Sequence, residues 1–120
     1  MKKLLFAVLC FMMLCGCTRT FSIENPAKVT IQRGGEVLEI TDDATIQRLT
    51  DQITSMTFQR GKSSRNYTGW EYWLTWYDES GTMVFSAFIL SPHCIDYHDR
   101  FWICENGTID TAYYDELLDG

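Results

Sequence analysis

One short stretch of the chain concentrates the residue types that bind metal ions. It contains both histidines of the protein, a cysteine and two aspartates: His93, Cys94, Asp96, His98 and Asp99. Zinc prefers nitrogen and sulfur ligands of this kind in a tetrahedral arrangement. In a strand, however, side chains alternate between faces, so Cys94, Asp96 and His98 would share one face and His93 would point to the other. Polar residues on the surface of a hairpin explain the stretch better, and the sequence predicts no metal ion and no other cofactor.

The cysteine of this stretch could also form a disulfide bond. Cys94 and Cys104 lie on either side of the expected hairpin turn. If Asp99 is the centre of the turn, the two cysteines lie directly opposite each other on neighbouring strands. Opposed residues of this kind are about 4.5 Å apart at Cα, a separation that a disulfide can bridge. An even number of cysteines in an exported domain also favours pairing. The sequence therefore predicts a Cys94–Cys104 disulfide.

Aromatic rings give the best indication of a binding surface. Residues 69–78 read GWEYWLTWYD and are expected to form a strand. Alternation along this strand directs one set of large side chains toward a core: Trp70, Tyr72, Leu74 and Trp76. The opposite face carries Glu71, Trp73 and Tyr77. If these rings are exposed they suit a protein or glycan ligand, and if the C-terminal helix covers them they belong to a second core layer.

The first residues of the chain have the composition of a secretion signal. Lys2 and Lys3 form a short positive region, and residues 4–14 follow as 11 apolar residues without a charge. A membrane-spanning helix needs roughly 20 apolar residues, whereas the apolar part of a signal peptide has about 7–15. The length of the apolar run therefore favours export.

The end of this apolar run identifies a modified cysteine. Leu14, Cys15, Gly16 and Cys17 resemble the lipobox of bacterial lipoproteins, in which an aliphatic residue and a small residue precede an invariant cysteine. Cys15 does not fit as the invariant cysteine, because Leu14 would then occupy the position of the small residue. The resemblance implies a signal peptide at 1–16, a diacylglycerol on the Cys17 sulfur, and an amino group open to acylation, for example with palmitate. It also implies a mature chain outside the cytoplasm, anchored to the bacterial membrane by this lipid.

The charge of the mature chain limits its partners. The sequence has 10 basic and 16 acidic residues, and loss of Lys2 and Lys3 with the signal leaves 8 basic residues and a formal charge of −8. This charge argues against nucleic acid and against an electrostatic attraction to anionic lipid. The partners that remain are the membrane, through Cys17, and an unidentified protein or glycan ligand.

Residues 28–120 are long enough for one domain, which residues 17–27 would tether to the lipid. Alternating patterns predict strands at 28–33 and 36–40, and a short strand at 56–59 before a polar loop at 60–68. Four further strands are expected, and these occupy residues 69–78, 82–90, 94–97 and 101–104. Most of the strands are joined by hairpin turns, which predicts a mostly antiparallel sheet.

Two helices complete the prediction. Ile46, Leu49, Ile53 and Met56 are spaced for one apolar stripe, so a helix at about 42–55, capped by Thr41, is expected to pack on one face of the sheet. A short C-terminal helix at 111–118 follows. The fold class is therefore α+β. The order of elements also resembles small uncharacterised lipoproteins of Gram-positive bacteria, a resemblance that implies no activity.

The favoured interpretation is a lipid-anchored, non-enzymatic binding module at the bacterial cell envelope. The sequence has no Ser–His–Asp motif and no glycine-rich nucleophile elbow, so it gives no indication of catalysis. One alternative is an inhibitor or immunity-type protein that blocks a secreted enzyme. The other is an envelope hydrolase or metal carrier that uses residues 93–99.

Overall fold

The computed structural model describes residues 18–120, and the predicted signal peptide and Cys17 lie outside these residues. The described part of the chain contains one eight-stranded sheet and two helices. All neighbouring strands pair in antiparallel fashion. The prediction of an α+β fold with a mostly antiparallel sheet is confirmed.

The elements follow one another along the chain with short connections. They are β1 Thr18–Arg19, β2 Lys28–Arg33, β3 Glu36–Ile40, α1 Asp43–Thr54, β4 Phe58–Ser63, β5 Tyr72–Tyr77, β6 Met83–Ser91, β7 Cys94–Asp96, β8 Arg100–Cys104 and α2 Thr111–Asp119. In space the strands lie in the order β1-β4-β8-β7-β6-β5-β2-β3. The hairpins β2–β3, β5–β6 and β7–β8 place sequential strands side by side, whereas β4 pairs with the distant β8.

One face of the sheet, which we call the core face, holds the hydrophobic core. Its fully buried side chains alternate along the central strands: Val29, Ile31, Leu74, Trp76, Ile89 and Ile95. The residues between them point to the opposite side, which we call the second face. The expected burial of Tyr72, Leu74 and Trp76 in β5 is confirmed.

Both helices contact side chains of the core face. In α1, Ile46, Leu49 and Ile53 are buried, and Thr50 Oγ1 accepts a hydrogen bond of 3.0 Å from Trp76 Nε1. In α2, Tyr114 is buried and packs against Tyr72 at 5.2 Å between ring centroids.

The first turn of α1 begins one residue later than the sequence predicts. The N-cap is Asp42 and not Thr41, and Asp42 Oδ2 accepts hydrogen bonds from the backbone N–H and the hydroxyl of Thr45. These bonds hold the pKa of Asp42 below its usual value. Aspartate is as good an N-cap as threonine, and here its side chain reaches the backbone N–H of Thr45 in the first turn.

The segment before β2 is part of the domain and not a free tether. β1 pairs with β4, and Phe21 is only 4% exposed. The Phe21 ring meets four others edge to face at 4.9–5.9 Å: Phe58, Phe85, Tyr97 and Trp102. Burying a phenylalanine in such a cluster stabilises the fold, and this energy holds the segment against the sheet. Residues 18–27 are therefore held against the sheet by pairing and packing.

The β7–β8 hairpin differs from the prediction by one residue of register. His98 and Asp99 both have positive φ and form a two-residue turn, with Tyr97 and Arg100 bonded to each other on either side. Cys94 therefore lies opposite Ile103 and not opposite Cys104. A shift of one residue reverses the faces, so Cys94 points to the second face and Cys104 to the core face.

The predicted disulfide is wrong in this structure, because both cysteines are free. The predicted loop at 60–68 is also partly wrong. β4 continues to Ser63 through its pairing with β8, although the register shifts between Arg60 and Ser63.

Candidate functional site

The second face of β5 is the place where the sequence predicts a binding surface. Trp73 is 38% exposed, whereas Trp76, three residues along the same strand, is completely buried. Helix α2 contacts Tyr72 on the core face, so it does not cover Trp73. The sequence left open whether the Trp73 ring is exposed or covered by the C-terminal helix, and in the structure it is exposed.

Three large rings form a cluster on this face, and we call them the aromatic cluster: Trp70, Trp73 and Phe88. Trp73 stacks on Phe88, its partner in β6, at 5.3 Å between centroids. Trp70 meets Trp73 at 6.4 Å and Phe88 at 5.4 Å. The prediction that Trp70 belongs to the core is wrong. β5 begins only at Tyr72, so strand alternation does not extend back to Trp70.

Hydrogen bonds fix the orientation of the Trp73 ring. Trp73 Nε1 donates to Ser86 Oγ at 2.8 Å, and Ser86 Oγ lies 3.1 Å from Thr75 Oγ1. The indole therefore has its polar group satisfied within the protein while its ring remains accessible. A ring held in one rotamer loses little conformational entropy when a ligand binds to it.

The other two residues of the predicted surface lie apart from the aromatic cluster. Tyr77 is half-buried at the far end of β5, about 13 Å from Trp73 at the usual rise per strand residue. Lys28 Nζ lies 4.7 Å above the Tyr77 ring and 3.6 Å from Glu39. Glu71 is exposed and immediately precedes β5. The surface is therefore centred on Trp73, with Tyr77 engaged by Lys28.

A groove of about 340 Å³ lies beside the aromatic cluster. Its walls combine an aromatic ring with polar groups, among them Phe88, Ser86, Asp96 and Ser64. Ser64 is buried, and its hydroxyl donates to Asp96 Oδ1 at 2.7 Å. The second face thus presents rings and hydrogen-bonding groups next to each other.

The residues considered as metal ligands do not converge. Cys94 and Asp96 share the second face, as the sequence predicts, but Asp96 is bonded to Ser64. The prediction that His98 continues this strand is wrong, because β7 ends at Asp96 and His98 lies in the turn, with its ring 4.1 Å from Tyr97. Within residues 18–120, no three side chains of the ligand types are placed to hold a metal ion.

The two thiols are poor nucleophiles in this environment. Burial, with the nearby Asp96 charge, raises the pKa of Cys94, and burial raises the pKa of Cys104 to about 11. Cys104 Sγ contacts Met56 Sδ and the Pro92 carbonyl oxygen, at 3.8 and 3.9 Å. Both sulfurs are therefore protonated near neutral pH, and neither has the low pKa of a reactive cysteine.

Sequence reasoning missed Phe88 and Ser86, although the signal was present. A β5–β6 hairpin with its turn at 78–81 would place both on the face of Trp73. The observed pairing differs from this register by two residues. The turn contributes one, because Tyr77 lies opposite Met83, and the irregularity between Trp76 and Tyr77 contributes the other, so Phe88 lies opposite Trp73 without a change of face.

A second group that the sequence did not indicate lies at the other end of the sheet. Arg19, Arg60, Arg100 and His98 line a pocket of about 610 Å³. Their sequence positions are up to 81 residues apart, so only the pairing of β1, β4 and β8 brings them together.

Comparison of the chain with known protein families, with curated proteins and with solved structures found no match. Across residues 18–120, neither helix combines the length and the apolar character that crossing a membrane requires.

Proposed function

We propose that this chain is a lipid-anchored, non-enzymatic binding module on the outer side of a bacterial membrane. In this proposal Cys17 carries the lipid, and the second face of the sheet receives a ligand from the cell envelope. The observation that supports it best is the aromatic cluster of Trp70, Trp73 and Phe88, which is oriented and only partly covered. Large oriented rings at a surface are typical of binding sites.

The position of the helices supports the choice of this face. α1 contacts Trp76, and α2 contacts Tyr72, both of which belong to the core face. If both helices pack on the core face, as these contacts indicate, the second face is open to a ligand. Exposed apolar side chains lie across it on three strands, since Val37 is 62% exposed and Ile103 is 43% exposed in addition to Trp73.

A cell-wall glycan is the ligand that the aromatic cluster fits best. Sugar rings have an apolar face that stacks on indole and phenyl rings, and hydroxyl groups that need hydrogen-bond partners. Beside the cluster, Ser86, Asp96 and Ser64 line a groove that offers such partners. The ligand would therefore meet rings and polar groups within one site.

A protein partner is the second candidate, and the width of the apolar surface favours it. Val37, Trp73 and Ile103 belong to β3, β5 and β8, so the exposed apolar groups extend across much of the sheet. An inhibitor or immunity-type protein that blocks a secreted enzyme would use such an extended surface.

The lipid anchor is tested at Cys17. Cells that express the full chain are grown with a fatty-acid analogue, and the wild type is compared with Cys17→Ala. We expect the label on the wild type only, with Cys15→Ala as the matched control that keeps it. Two acyl chains offer on the order of 20 kcal/mol of burial, so the labelled protein should remain with the membrane fraction. Equal labelling of wild type and Cys17→Ala would overturn the anchor.

The binding surface is tested with Trp73→Ala and isolated cell wall. We expect the substitution to weaken sedimentation with peptidoglycan about tenfold or more, as loss of a central tryptophan does in other interfaces. Met83→Ala is the control, because Met83 is exposed and lies outside the aromatic cluster. If Trp73→Ala and Met83→Ala bind as the wild type does, the second face is not the glycan site. Loss of binding to a captured envelope protein, but not to the wall, would favour the protein partner.

A further inference from the structure

The basic residues of this acidic domain are divided into two groups. Lys28, Arg33 and Arg48 form ion pairs with carboxylates. Within residues 18–120, the remaining five form none: Arg19, Arg60, Lys62, Arg65 and Arg100. These five belong to β1, β4, β8 and the loop after β4, so the unpaired positive charge is concentrated at one end of the sheet.

Three of these arginines line one pocket at that end, which we call the basic pocket. Arg19, Arg60 and Arg100 share its wall with His98, and no carboxylate is among the lining residues. Thr18, Tyr97 and Trp102 complete the wall. An arrangement of three guanidinium groups without a counter-charge favours an anionic ligand.

Two of the three guanidinium groups are held in place by the fold. The Arg19 guanidinium carbon lies over three aromatic rings, 4.5 Å from Phe21, 5.2 Å from Trp102 and 5.4 Å from Tyr97. Arg100 Nη1 donates to the Gly61 carbonyl oxygen at 2.9 Å. The bond from Arg100 uses one of its N–H donors, and the ring contacts of Arg19 use none, so N–H donors remain for a ligand. Guanidinium remains charged at all physiological pH values and matches the oxygens of a phosphate in two-point bonding.

We propose that the basic pocket binds the phosphate groups of anionic phospholipids in the membrane to which the protein is anchored. The position of the pocket carries this assignment, because Thr18 lines it and directly follows Cys17. Since β1 begins at Thr18, no flexible tether separates the lipid from the sheet. A lipid on Cys17 therefore brings the basic pocket to the headgroups. This inference rests on the proposed lipid anchor.

The acidic net charge does not prevent this contact. Screening limits the range of exposed charges to about 8 Å at physiological ionic strength, so the headgroups respond to the charges nearest to them. Those charges are the arginines of the basic pocket. An acyl anchor combined with a basic surface is a common pair of membrane signals, and here the second signal would also fix which end of the domain faces the membrane.

Vesicle sedimentation tests the basic pocket without the lipid. The probe protein is the mature chain from residue 17 with Cys17→Ser, which retains the complete sheet, both helices and the core. We expect it to sediment with phosphatidylglycerol vesicles, not with neutral phosphatidylcholine vesicles, and to dissociate as salt is added. Arg60→Gln should weaken binding about fivefold, and the double variant with Arg19→Gln by about twentyfold or more, as expected for one and two basic residues near an anionic surface.

The control for these variants is Arg48→Gln, which removes the same charge from helix α1. Arg48 is ion-paired with Asp110 and does not line the basic pocket, so we expect vesicle binding to be unchanged. Equal losses in Arg48→Gln and Arg60→Gln would show an effect of net charge and overturn the pocket. Near-UV circular dichroism of each variant establishes that the fold is retained.

Competition with a soluble anion distinguishes a phospholipid headgroup from a free phosphate compound as the ligand. We expect glycerol phosphate to compete only weakly with vesicles, since one headgroup analogue lacks the many phosphates of a surface. Binding of glycerol phosphate without binding to anionic vesicles would overturn the membrane assignment in favour of a free phosphate ligand. The Cys17→Ser protein carries no lipid, so its sedimentation with vesicles reports on the basic pocket alone. The lipid anchor is tested separately, by the labelling of Cys17 in cells.

Discussion

Trp76 and Trp73 lie three residues apart in β5, on opposite faces of the sheet, and make the same kinds of contact. Each indole N–H donates to a hydroxyl group, Trp76 to Thr50 at 3.0 Å and Trp73 to Ser86 at 2.8 Å. Each ring also packs on a phenylalanine of β6, Phe85 or Phe88. The first ring is completely buried and the second is 38% exposed.

The two tryptophans differ in whether another element of the fold covers the ring. Helix α1 supplies the partner of Trp76, whereas Trp73 finds its partner within the sheet itself. The exposure of Trp73 therefore does not come from poor packing, because its polar group is satisfied and its ring is oriented. A ring that is fixed but uncovered suits a ligand, while one that is fixed and covered serves stability.

The largest effect is expected for Trp76→Ala. A fully buried tryptophan replaced by alanine leaves a cavity in the core, and such changes cost about 3–5 kcal/mol of the free energy of unfolding. Thr50 is not left without a partner, because its hydroxyl also donates to the Ile46 carbonyl oxygen. A urea melt measures the loss, with Trp76→Phe as the control that keeps a ring in the site. A loss below about 1 kcal/mol would mean that Trp76 is not a core residue.

Phe21→Ala tests whether the first residues belong to the core face. Phe21 contacts four rings and is almost fully buried, so we expect a loss of about 3 kcal/mol in the free energy of unfolding. Ile23→Ala is the matched control, since Ile23 is only partly buried and should cost about 1 kcal/mol. If residues 18–27 were a free tether, both variants would melt as the wild type does.

Trp73→Ala should have a much smaller effect on folding than Trp76→Ala. The variant loses ring contacts with Phe88 and Trp70, and pairs of this kind contribute about 0.5–1.5 kcal/mol. The same urea melt compares the two variants directly. Equal destabilisation would mean that both faces of β5 are core, and the second face would then lose its main support as a binding surface.

The parts of the fold that depend on a short local period could be predicted from sequence. Alternation in β5 correctly separated Trp73 from Leu74 and Trp76, because successive strand residues always point to opposite faces. The apolar spacing of Ile46, Leu49 and Ile53 likewise identified the buried side of α1. Such patterns need no knowledge of the neighbouring strands.

The parts that depend on long-range pairing could not be predicted. Phe21 and Ile23 are the only large apolar residues in a short polar stretch, too few to predict a buried strand, and the rings of four distant residues show why Phe21 is buried. The basic pocket needs β1, β4 and β8 side by side, and sequence offers no local signal for this arrangement. The negative net charge even argued against binding to anionic lipid, because net charge sums over residues that lie far apart in the structure.

The cysteines show how one residue of register changes the chemistry of a site. A turn centred on Asp99 would have placed Cys94 opposite Cys104, whereas the two-residue turn at His98 and Asp99 places it opposite Ile103. Because side chains alternate, the shift sends the two sulfurs to opposite faces of the sheet. Cys94 and Cys104 are thus a second pair of identical residues, after Trp73 and Trp76, that lie on opposite faces of the sheet.

The final prediction concerns these thiols and involves no loss of folding stability. In the mature chain with Cys17→Ser, intact mass under non-reducing conditions should show both thiols free, and iodoacetamide should label Cys94 before Cys104. Cys104 is the slower because burial raises its pKa to about 11 and thiolate is the reactive form, so its labelling should accelerate as pH rises toward that value. Cys94→Ser, the control, should leave only the slow phase. A mass two hydrogens lighter, with neither thiol labelled, would restore the disulfide and require Cys94 and Cys104 to share a face.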